Sequence, residues 1–239
     1  MRRPLALAAF AFTLLLTGCS GIVGEGGSGD LVTETREVGE FTAIDVSRAI
    51  RVEVTVAAGE PSVEVIYDDN LIDGIEVSVD GGVLVLDADR NMRPSDGAKI
   101  VVRVAALDEI TASGASSVIV AGSLEGDAVR LKVSGASRIE APDVRTTLLD
   151  IAASGASTVT LRDGDVADAD LSVSGASRVD LDGVVIAKAV VDVSGASRAE
   201  VRGAVEVRGD ASGASRVTVS KDATRVLVET SGASSIDVD

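Results

Sequence analysis

The sequence of 239 residues lacks histidine and tryptophan, and it has only one tyrosine, three phenylalanines and one cysteine. The absence of histidine excludes Ser-His-Asp and Cys-His catalytic arrangements and zinc sites with histidine ligands. The sequence also has no phosphate-binding loop and no dinucleotide-binding motif, so we predict no enzyme activity and no cofactor. Because aromatic residues are scarce, the core must consist of Val, Leu, Ile and Ala, and this composition favours β-strands.

The single cysteine, Cys19, follows a segment that is typical of export signals. Two arginines near the start precede an apolar run of twelve residues, 5–16, which is too short to span a bilayer. The run leads into Leu16-Thr17-Gly18-Cys19, which resembles the lipobox of bacterial lipoproteins. We predict a lipoprotein signal peptide over residues 1–18 and a lipid on Cys19. The protein is then exported and anchored to the membrane of the bacterial cell envelope, with its domain facing outward or into the periplasm.

Residues 19–30 are rich in glycine and serine, and this composition is typical of a flexible tether. The whole chain is acidic, with a net charge of −16. Such a surface repels the phosphates of nucleic acid, so we predict no nucleic-acid partner.

Residues 31–108 have the alternating pattern of β-strands but no clear repeat. Apolar residues alternate with polar ones from Ile50 to Val56, which predicts a half-buried strand. A second alternating run leads into Asp80-Gly81-Gly82 and out again, which predicts a hairpin. We therefore assign 31–108 to a β-rich N-terminal part of the domain.

The tetrapeptide Ser-Gly-Ala-Ser occurs seven times in residues 109–239, at steps of 18 to 21 residues. The residues on both sides of each copy alternate between apolar and polar, as strands do on either side of a turn. One repeat of about 20 residues cannot bury its own apolar face, so successive repeats must stack. The repeat predicts an all-β fold, a right-handed parallel β-solenoid of about seven coils with roughly 20 residues each.

Each residue type in the motif suggests a structural role. The glycine is expected to adopt a positive φ at a corner, where a residue with a Cβ atom is disfavoured. The alanine is expected to fill a tight interior corner, and the two serine hydroxyls are expected to bond to the backbone or to serines of neighbouring coils. The predicted corner glycines are Gly114, Gly135, Gly155, Gly175, Gly195, Gly213 and Gly232.

Two alternative uses of the repeat remain open at this point. The serine and alanine columns could form a flat array that faces ice or a glycan, although a neighbouring column of arginines interrupts it. That arginine column, next to a column with several acidic residues, indicates a solvated face with offset charge pairs. No ligand-binding residues can be named from the sequence.

The densest group of carboxylates is a candidate for a metal site. Asp163, Asp165, Asp168 and Asp170 could hold Ca²⁺ in an outer loop, but they lack EF-hand spacing and a solvated turn is the preferred interpretation. Some β-solenoids act on polysaccharides, and their grooves usually carry aromatic residues. Here the only aromatic residues after Cys19 are Phe41 and Tyr67, both before the repeats.

The segment that starts Phe41-Thr-Ala-Ile-Asp-Val, the segment Tyr67-Asp-Asp-Asn-Leu-Ile-Asp and the serial Ser-Gly-Ala-Ser copies resemble the head GIN domain family, described as putative auto-transporter adhesins. The resemblance covers roughly residues 38–239. It implies a β-helical domain at the cell surface and a role in adhesion or envelope maintenance, without catalytic or binding residues to transfer. The family tends to have Ser-Gly-Ala where this chain has Ser47-Arg48-Ala49, which indicates a degenerate first corner.

Three functional hypotheses follow. The first is a noncatalytic, lipid-anchored surface protein that presents a β-solenoid for adhesion to an unknown surface protein or glycan. The second is an envelope structural or stress-response domain that self-associates through the solenoid ends, as a homo-oligomer. The third is a β-helical enzyme that acts on polysaccharides.

Overall fold

The computed structural model describes residues 24–239, which consist of β-strands, turns and one short 3-10 segment, Ile72–Gly74. The N-terminal part contains nine strands: β1 (Glu25–Gly26), β2 (Leu31–Arg36), β3 (Ala43–Val46), β4 (Arg51–Val56), β5 (Ser62–Asp68), β6 (Ile75–Asp80), β7 (Val83–Ala88), β8 (Met92–Arg93) and β9 (Lys99–Val104). The repeat part contains fourteen strands: β10 (Glu109–Ala112), β11 (Ser117–Ala121), β12 (Ser123–Val133), β13 (Arg138–Ala141), β14 (Asp143–Ala153), β15 (Thr158–Leu161), β16 (Gly164–Val173), β17 (Arg178–Asp180), β18 (Val184–Val193), β19 (Arg198–Val201), β20 (Ala204–Ala211), β21 (Arg216–Val219), β22 (Arg225–Thr230) and β23 (Ser235–Val238).

The repeats form stacked coils. Six coils, from β11 and β12 to β21 and β22, each place one strand in an eleven-stranded sheet and one strand in a ten-stranded sheet. All pairs within these coils are parallel and in register: Val118 pairs with Ile139, which pairs with Val159. Stacking of this kind satisfies the backbone hydrogen-bond donors and acceptors of the strands in every inner coil. The predicted β-solenoid is confirmed, as is the β-rich N-terminal part.

The longer strand of each coil contains a bend. The pairing between β14 and β16 skips Thr147 and Ala167, and the residue after each of them is also exposed, which interrupts the inside-outside alternation. The bend divides the strand into two straight segments. Together with the shorter strand of the other sheet, these segments give three sides around one core.

The core consists of aliphatic side chains, as the composition predicts. Fully buried Val, Leu and Ile residues recur at equivalent positions of successive coils, such as Leu131, Ile151 and Leu171. Complete burial of such a side chain contributes roughly 1.5–3 kcal/mol relative to an exposed position. Phe41 and Tyr67 are also buried, and both lie in the N-terminal part.

The N-terminal part closes one end of the solenoid in an order that differs from the sequence order. Strands β3 and β4 form a coil that pairs on one side with β10 and β11 and on the other side with β7 and β9. Beyond these, β6 runs antiparallel to β7, and β5 lies antiparallel between β9 and β2. The hairpin predicted at Asp80-Gly81-Gly82 therefore joins β6 and β7. Between β9 and β10, the chain passes over the coil of β3 and β4.

Residues 24–30 differ from the predicted flexible tether. β1 pairs with β8, and the amide group of Ser28 donates a hydrogen bond of 2.9 Å to the side chain of Asn70. The glycines there allow the backbone to approach the domain closely. The predicted boundary of the tether must therefore be corrected, because its last seven residues are part of the fold.

The predicted signal peptide, residues 1–18, and the predicted lipidation site Cys19 lie outside the described residues. Within residues 24–239, no helix is both long and apolar enough to cross a membrane.

Candidate functional site

The Ser-Gly-Ala-Ser corners lie directly above one another and form one column along the solenoid. Their seven glycines all adopt φ values between +72° and +78°. In each step, the alanine amide donates a hydrogen bond to the glycine carbonyl of the coil below; the distance from Ala156 N to Gly135 O is 2.7 Å. A Cβ atom built on Gly175 would lie 2.5 Å from the carbonyl oxygen of Gly155. Both the backbone conformation and the close stacking therefore require glycine, as we predicted.

The alanine of the motif does not occupy the interior position that we predicted. Ala136, Ala156 and Ala176 are exposed, whereas the serine that follows each of them is buried. The chain turns between these two residues, so the alternation places the last residue of the motif inside. The small alanine side chains instead form an exposed ridge along the corner column.

The buried serines form a polar ladder inside the corner column. The hydroxyl of Ser157 lies 3.2 Å from the hydroxyl of Ser177 and 3.3 Å from the carbonyl oxygen of Val133. The hydroxyl of Ser215 donates to the carbonyl oxygen of Val193 at 3.1 Å. These bonds confirm the predicted role of the second serine and satisfy polar groups that water cannot reach.

The first corner of the column has no glycine. Arg48 and Ala49 adopt φ values of 55° and 63°, a region that residues with a Cβ atom rarely occupy. The Asp87 carboxylate holds this corner: it accepts a hydrogen bond from Ser47 Oγ at 2.5 Å and pairs with Arg48 Nε at 2.9 Å. Burial raises the pKa of Asp87, but the hydrogen bond from Ser47 and the charge of Arg48 outweigh this effect and hold it below its ordinary value. Side chains here replace the glycine of the later corners.

Two grooves run along the solenoid on either side of the alanine ridge. The larger one, which we call the serine groove, has a volume of about 350 Å³ and crosses five coils. Its lining residues are mostly short: Thr111, Lys132, Val133, Ser134, Ala152, Ala153, Ser154, Ser172, Val173, Ser174, Asp192 and Ser194. The other, the arginine groove, has a volume of about 280 Å³ and is lined by Arg51, Ala115, Ser116, Ser117, Ala136, Ser137, Arg138, Ala156 and Thr158.

The predicted arginine column carries offset charge pairs, as expected. Arg178 lies 2.7 Å from Glu200 in the next coil, and Arg216 lies 3.2 Å from Asp237. Burial raises the pKa of Glu200, but hydrogen bonds and charges from Arg202 and Arg178 hold it below its ordinary value. Much of the positive charge of this face is therefore balanced, which leaves the neutral serine groove as the more distinctive surface.

A buried carboxylate at the closed end was missed by sequence reasoning. Asp68 is fully buried and accepts hydrogen bonds from Ser95 N at 2.9 Å, Ser95 Oγ at 2.6 Å and Gly29 N at 2.9 Å. Burial raises the pKa of Asp68, but these hydrogen bonds outweigh it and hold the pKa below its ordinary value. Asp68 thus fastens the segment 24–30 to the domain. The Tyr67-Asp68-Asp69-Asn70 motif offered a signal, since it places charged residues directly after a buried strand.

The four carboxylates of the predicted calcium site lie in and next to β16. Asp163 accepts a hydrogen bond from the amide group of Gly164 at 2.8 Å, and Asp165, Asp168 and Asp170 are exposed along the strand. The structure does not bring them together: within residues 24–239 no group of three acidic side chains lies close enough to hold a metal ion.

Comparison with known proteins identifies the family. Residues 40–223 match the family described as "Putative auto-transporter adhesin, head GIN domain". The chain belongs to the head GIN domain family. Membership in this family supports an adhesin-like role at the cell surface. No curated protein sequence is similar to the chain.

Several solved structures share the solenoid of this head GIN domain. The structure of a "putative adhesin" from Bacteroides fragilis has a TM-score of 0.82 at 19% identity and covers 90% of this chain and 100% of its own. A "putative adhesin" from Parabacteroides merdae has a TM-score of 0.71 at 18% identity and covers 90% and 98%. A "Putative lipid binding protein" from Parabacteroides distasonis reaches 0.70 at 18% identity, with coverage of 90% and 98%. At this identity the likeness shows the fold alone.

Proposed function

We propose that this head GIN domain is a noncatalytic adhesin, exported and anchored through a lipid on Cys19, that binds an extended polar chain of a glycan or surface protein in the serine groove. The observation that carries the proposal is the shape of this groove. It crosses five coils and presents serine hydroxyls at the repeat of the solenoid, next to short side chains that leave the backbone of a ligand room to lie flat. A regular row of donors and acceptors matches a polymer better than a small molecule.

The location of the groove relative to the anchor supports this role. Four residues separate Cys19 from Gly24, the first residue that the structure describes, so the Cα atoms of Cys19 and Gly24 are less than about 20 Å apart. The closed end of the solenoid is then near the membrane, and the repeat part extends away from it. Because strands stack about 4.8 Å apart, we expect the groove to lie tens of ångströms above the lipid surface.

The anchor can be tested by fractionation. We expect the natural chain to sediment with membranes and the Cys19→Ser variant to lose its lipid and leave the membrane fraction. If the variant carries the same lipid mass as the natural chain, the anchor lies elsewhere.

The groove can be tested with a blocking substitution. Ser172 and Ala167 are exposed residues of the same strand, but only Ser172 lines the serine groove. We expect Ser172→Arg to reduce retention of envelope glycans and surface proteins by about tenfold or more, because the long side chain fills the groove. Ala167→Arg is the matched control and should retain them as the natural chain does. Equal retention by the two variants, or none by the natural chain, would contradict the proposal.

A further inference from the structure

The two ends of the solenoid differ in how their last strands are covered. In the inner coils, the column of Val226 is occupied by buried residues such as Val207, and the column of Ile236 by Val217. Val226, Val228 and Ile236 are only partly buried, and Val238 is 59% exposed. Within the described residues, β22 pairs with β20 alone, so its second edge presents free backbone donors and acceptors. An edge of this kind is a template for another strand.

The residues of β22 are self-complementary about Leu227. In an antiparallel pair of two β22 strands with Leu227 opposite itself, Val226 faces Val228 of the second copy on the core side, and Arg225 faces Glu229 on the outer side. Directly opposite charges of unlike sign stabilise a pair of strands. The ion pairs within residues 24–239 involve neither Arg225 nor Glu229, so both are available for a second copy.

The same test applied to the closed end gives the opposite result. The edge strand of the ten-stranded sheet there, β6, reads Ile-Glu-Val-Ser-Val-Asp, and a symmetric antiparallel pair centred on Ser78 places Glu76 opposite Asp80. Two like-charged pairs disfavour such a contact. A contact between β22 and β6 combines one pair of opposite sign with one pair of like sign in either direction. Of these three contacts between edge strands of the ten-stranded sheet, the symmetric pair of β22 strands is the one with two favourable charge pairs.

We propose that two copies of this chain associate through β22, as an antiparallel strand pair about a two-fold axis at Leu227. The pair continues the ten-stranded sheet from one copy into the other and covers the partly buried valines of both. Each particle then carries two serine grooves, so a polymer that engages both is held more tightly than by one. The proposal goes beyond the binding function above and does not depend on it.

Cysteine cross-linking of the full chain in detergent tests this contact. Leu227→Cys places two thiols opposite each other across the axis, at a Cα separation of about 4.5–5.5 Å, which a disulfide spans. Val185→Cys is a matched control, because Val185 and Leu227 are both 54% exposed and Val185 lies in an inner coil. The natural chain controls for Cys19. We expect a covalent dimer from Leu227→Cys and only background from Val185→Cys and the natural chain.

Charge reversal separates the proposed register from chance collisions. In the Leu227→Cys chain, we expect Arg225→Glu to lower the dimer yield about tenfold, because Glu then faces Glu229. Adding Glu229→Arg should restore the yield, since the pairs are then reversed but still complementary. Equal yields from Leu227→Cys and Val185→Cys, no response to Arg225→Glu, or conjugates with other proteins in place of dimers would overturn the proposal.

Discussion

The closed N-terminal end and the repeat part of this head GIN domain solve the same stacking problem by different means. In the repeat part, backbone groups join the corners. Glycine at a positive φ allows each corner to form a backbone hydrogen bond with the corner below it. In the N-terminal part, carboxylates accept the corresponding hydrogen bonds. Asp87 holds the corner of Arg48, and Asp68 fastens the segment 24–30. The repeated corners therefore require the absence of a side chain, whereas the corner at Arg48 depends on the side chain of Asp87.

The largest effect is expected from a Cβ atom within the corner column. Gly175→Ala should lower the free energy of unfolding by roughly 2–5 kcal/mol, because it adds strain at a positive φ and a clash with the carbonyl of Gly155. Urea denaturation followed by circular dichroism measures it. Gly39→Ala, at a site with nothing within 4 Å, is the control and should change little. Similar losses in both variants would show that the corner is not special.

The second-largest loss of stability is expected when the charge of Asp68 is removed. Asp68→Asn places an amide group among donors that need an acceptor, so we expect a loss of about 2–3 kcal/mol and faster hydrogen exchange in residues 24–30. Asp69→Asn, where the neighbouring carboxylate is exposed and bonds to Ser28, should cost much less. Unchanged exchange in Asp68→Asn would mean that β1 alone holds this segment.

Acid should weaken the N-terminal part before the repeat part. A carboxyl with a lowered pKa in the folded state contributes stability above its unfolded pKa of about 4, and this contribution is lost as the pH falls through the folded value. Asp68 and Asp87 in the N-terminal part are of this kind, whereas in the repeat part Glu200 is of this kind and the corners are joined by backbone hydrogen bonds that do not titrate. Asp45, whose pKa is raised by burial and by Asp87 and Glu109, acts in the opposite direction. Hydrogen exchange below pH 4 should show early loss in β2 and β5; earlier loss in the repeats would refute this order.

A smaller effect is expected from the serine ladder. Ser177→Ala removes a hydroxyl that is buried beside Ser157, so we expect a loss of about 1 kcal/mol. Ser174→Ala, in the same corner but partly exposed and without a side-chain hydrogen bond within the described chain, should lie within about 0.5 kcal/mol of the natural protein. Thermal unfolding of the two variants compares them directly.

The smallest effect is expected at the corner without glycine. Arg48→Gly relieves a positive φ, which is worth about 1 kcal/mol, and removes an exposed ion pair with Asp87, which is worth about as much. We expect the net change in unfolding free energy to stay within about 1 kcal/mol. A large loss would show that the Asp87 pair, and not the conformation, determines this corner.

Much of the repeat part could be predicted from the sequence, because the period and the glycine of the motif report directly on backbone geometry. The position of the alanine could not, since a tetrapeptide alone does not say at which residue the inside-outside alternation resumes after the turn. The serine groove depends on columns such as Ala152 and Ser172, which become neighbours only through the register between β14 and β16.

The N-terminal part was less accessible to prediction for a different reason. Its contacts join residues far apart in sequence, such as Gly29, Asp68 and Ser95, and no local pattern marks them. A glycine-rich segment has the same composition whether it is a free tether or is held against a domain. Composition alone therefore predicted a tether at 24–30, where hydrogen bonds from the chain to Asp68 and Asn70 fix the backbone.

The passage of the chain from β9 over the coil of β3 and β4 to β10 sets the order in which the neighbours of that coil occur in the chain. Among the coils, that of β3 and β4 comes first in the chain, and its partners on both edges follow it. Residues 62–104 complete one edge, and the repeats then add to the other, one coil after another. We therefore expect folding to begin at this coil and to extend the rod in two directions, so that removal of the last repeat leaves the first coil and its neighbours intact.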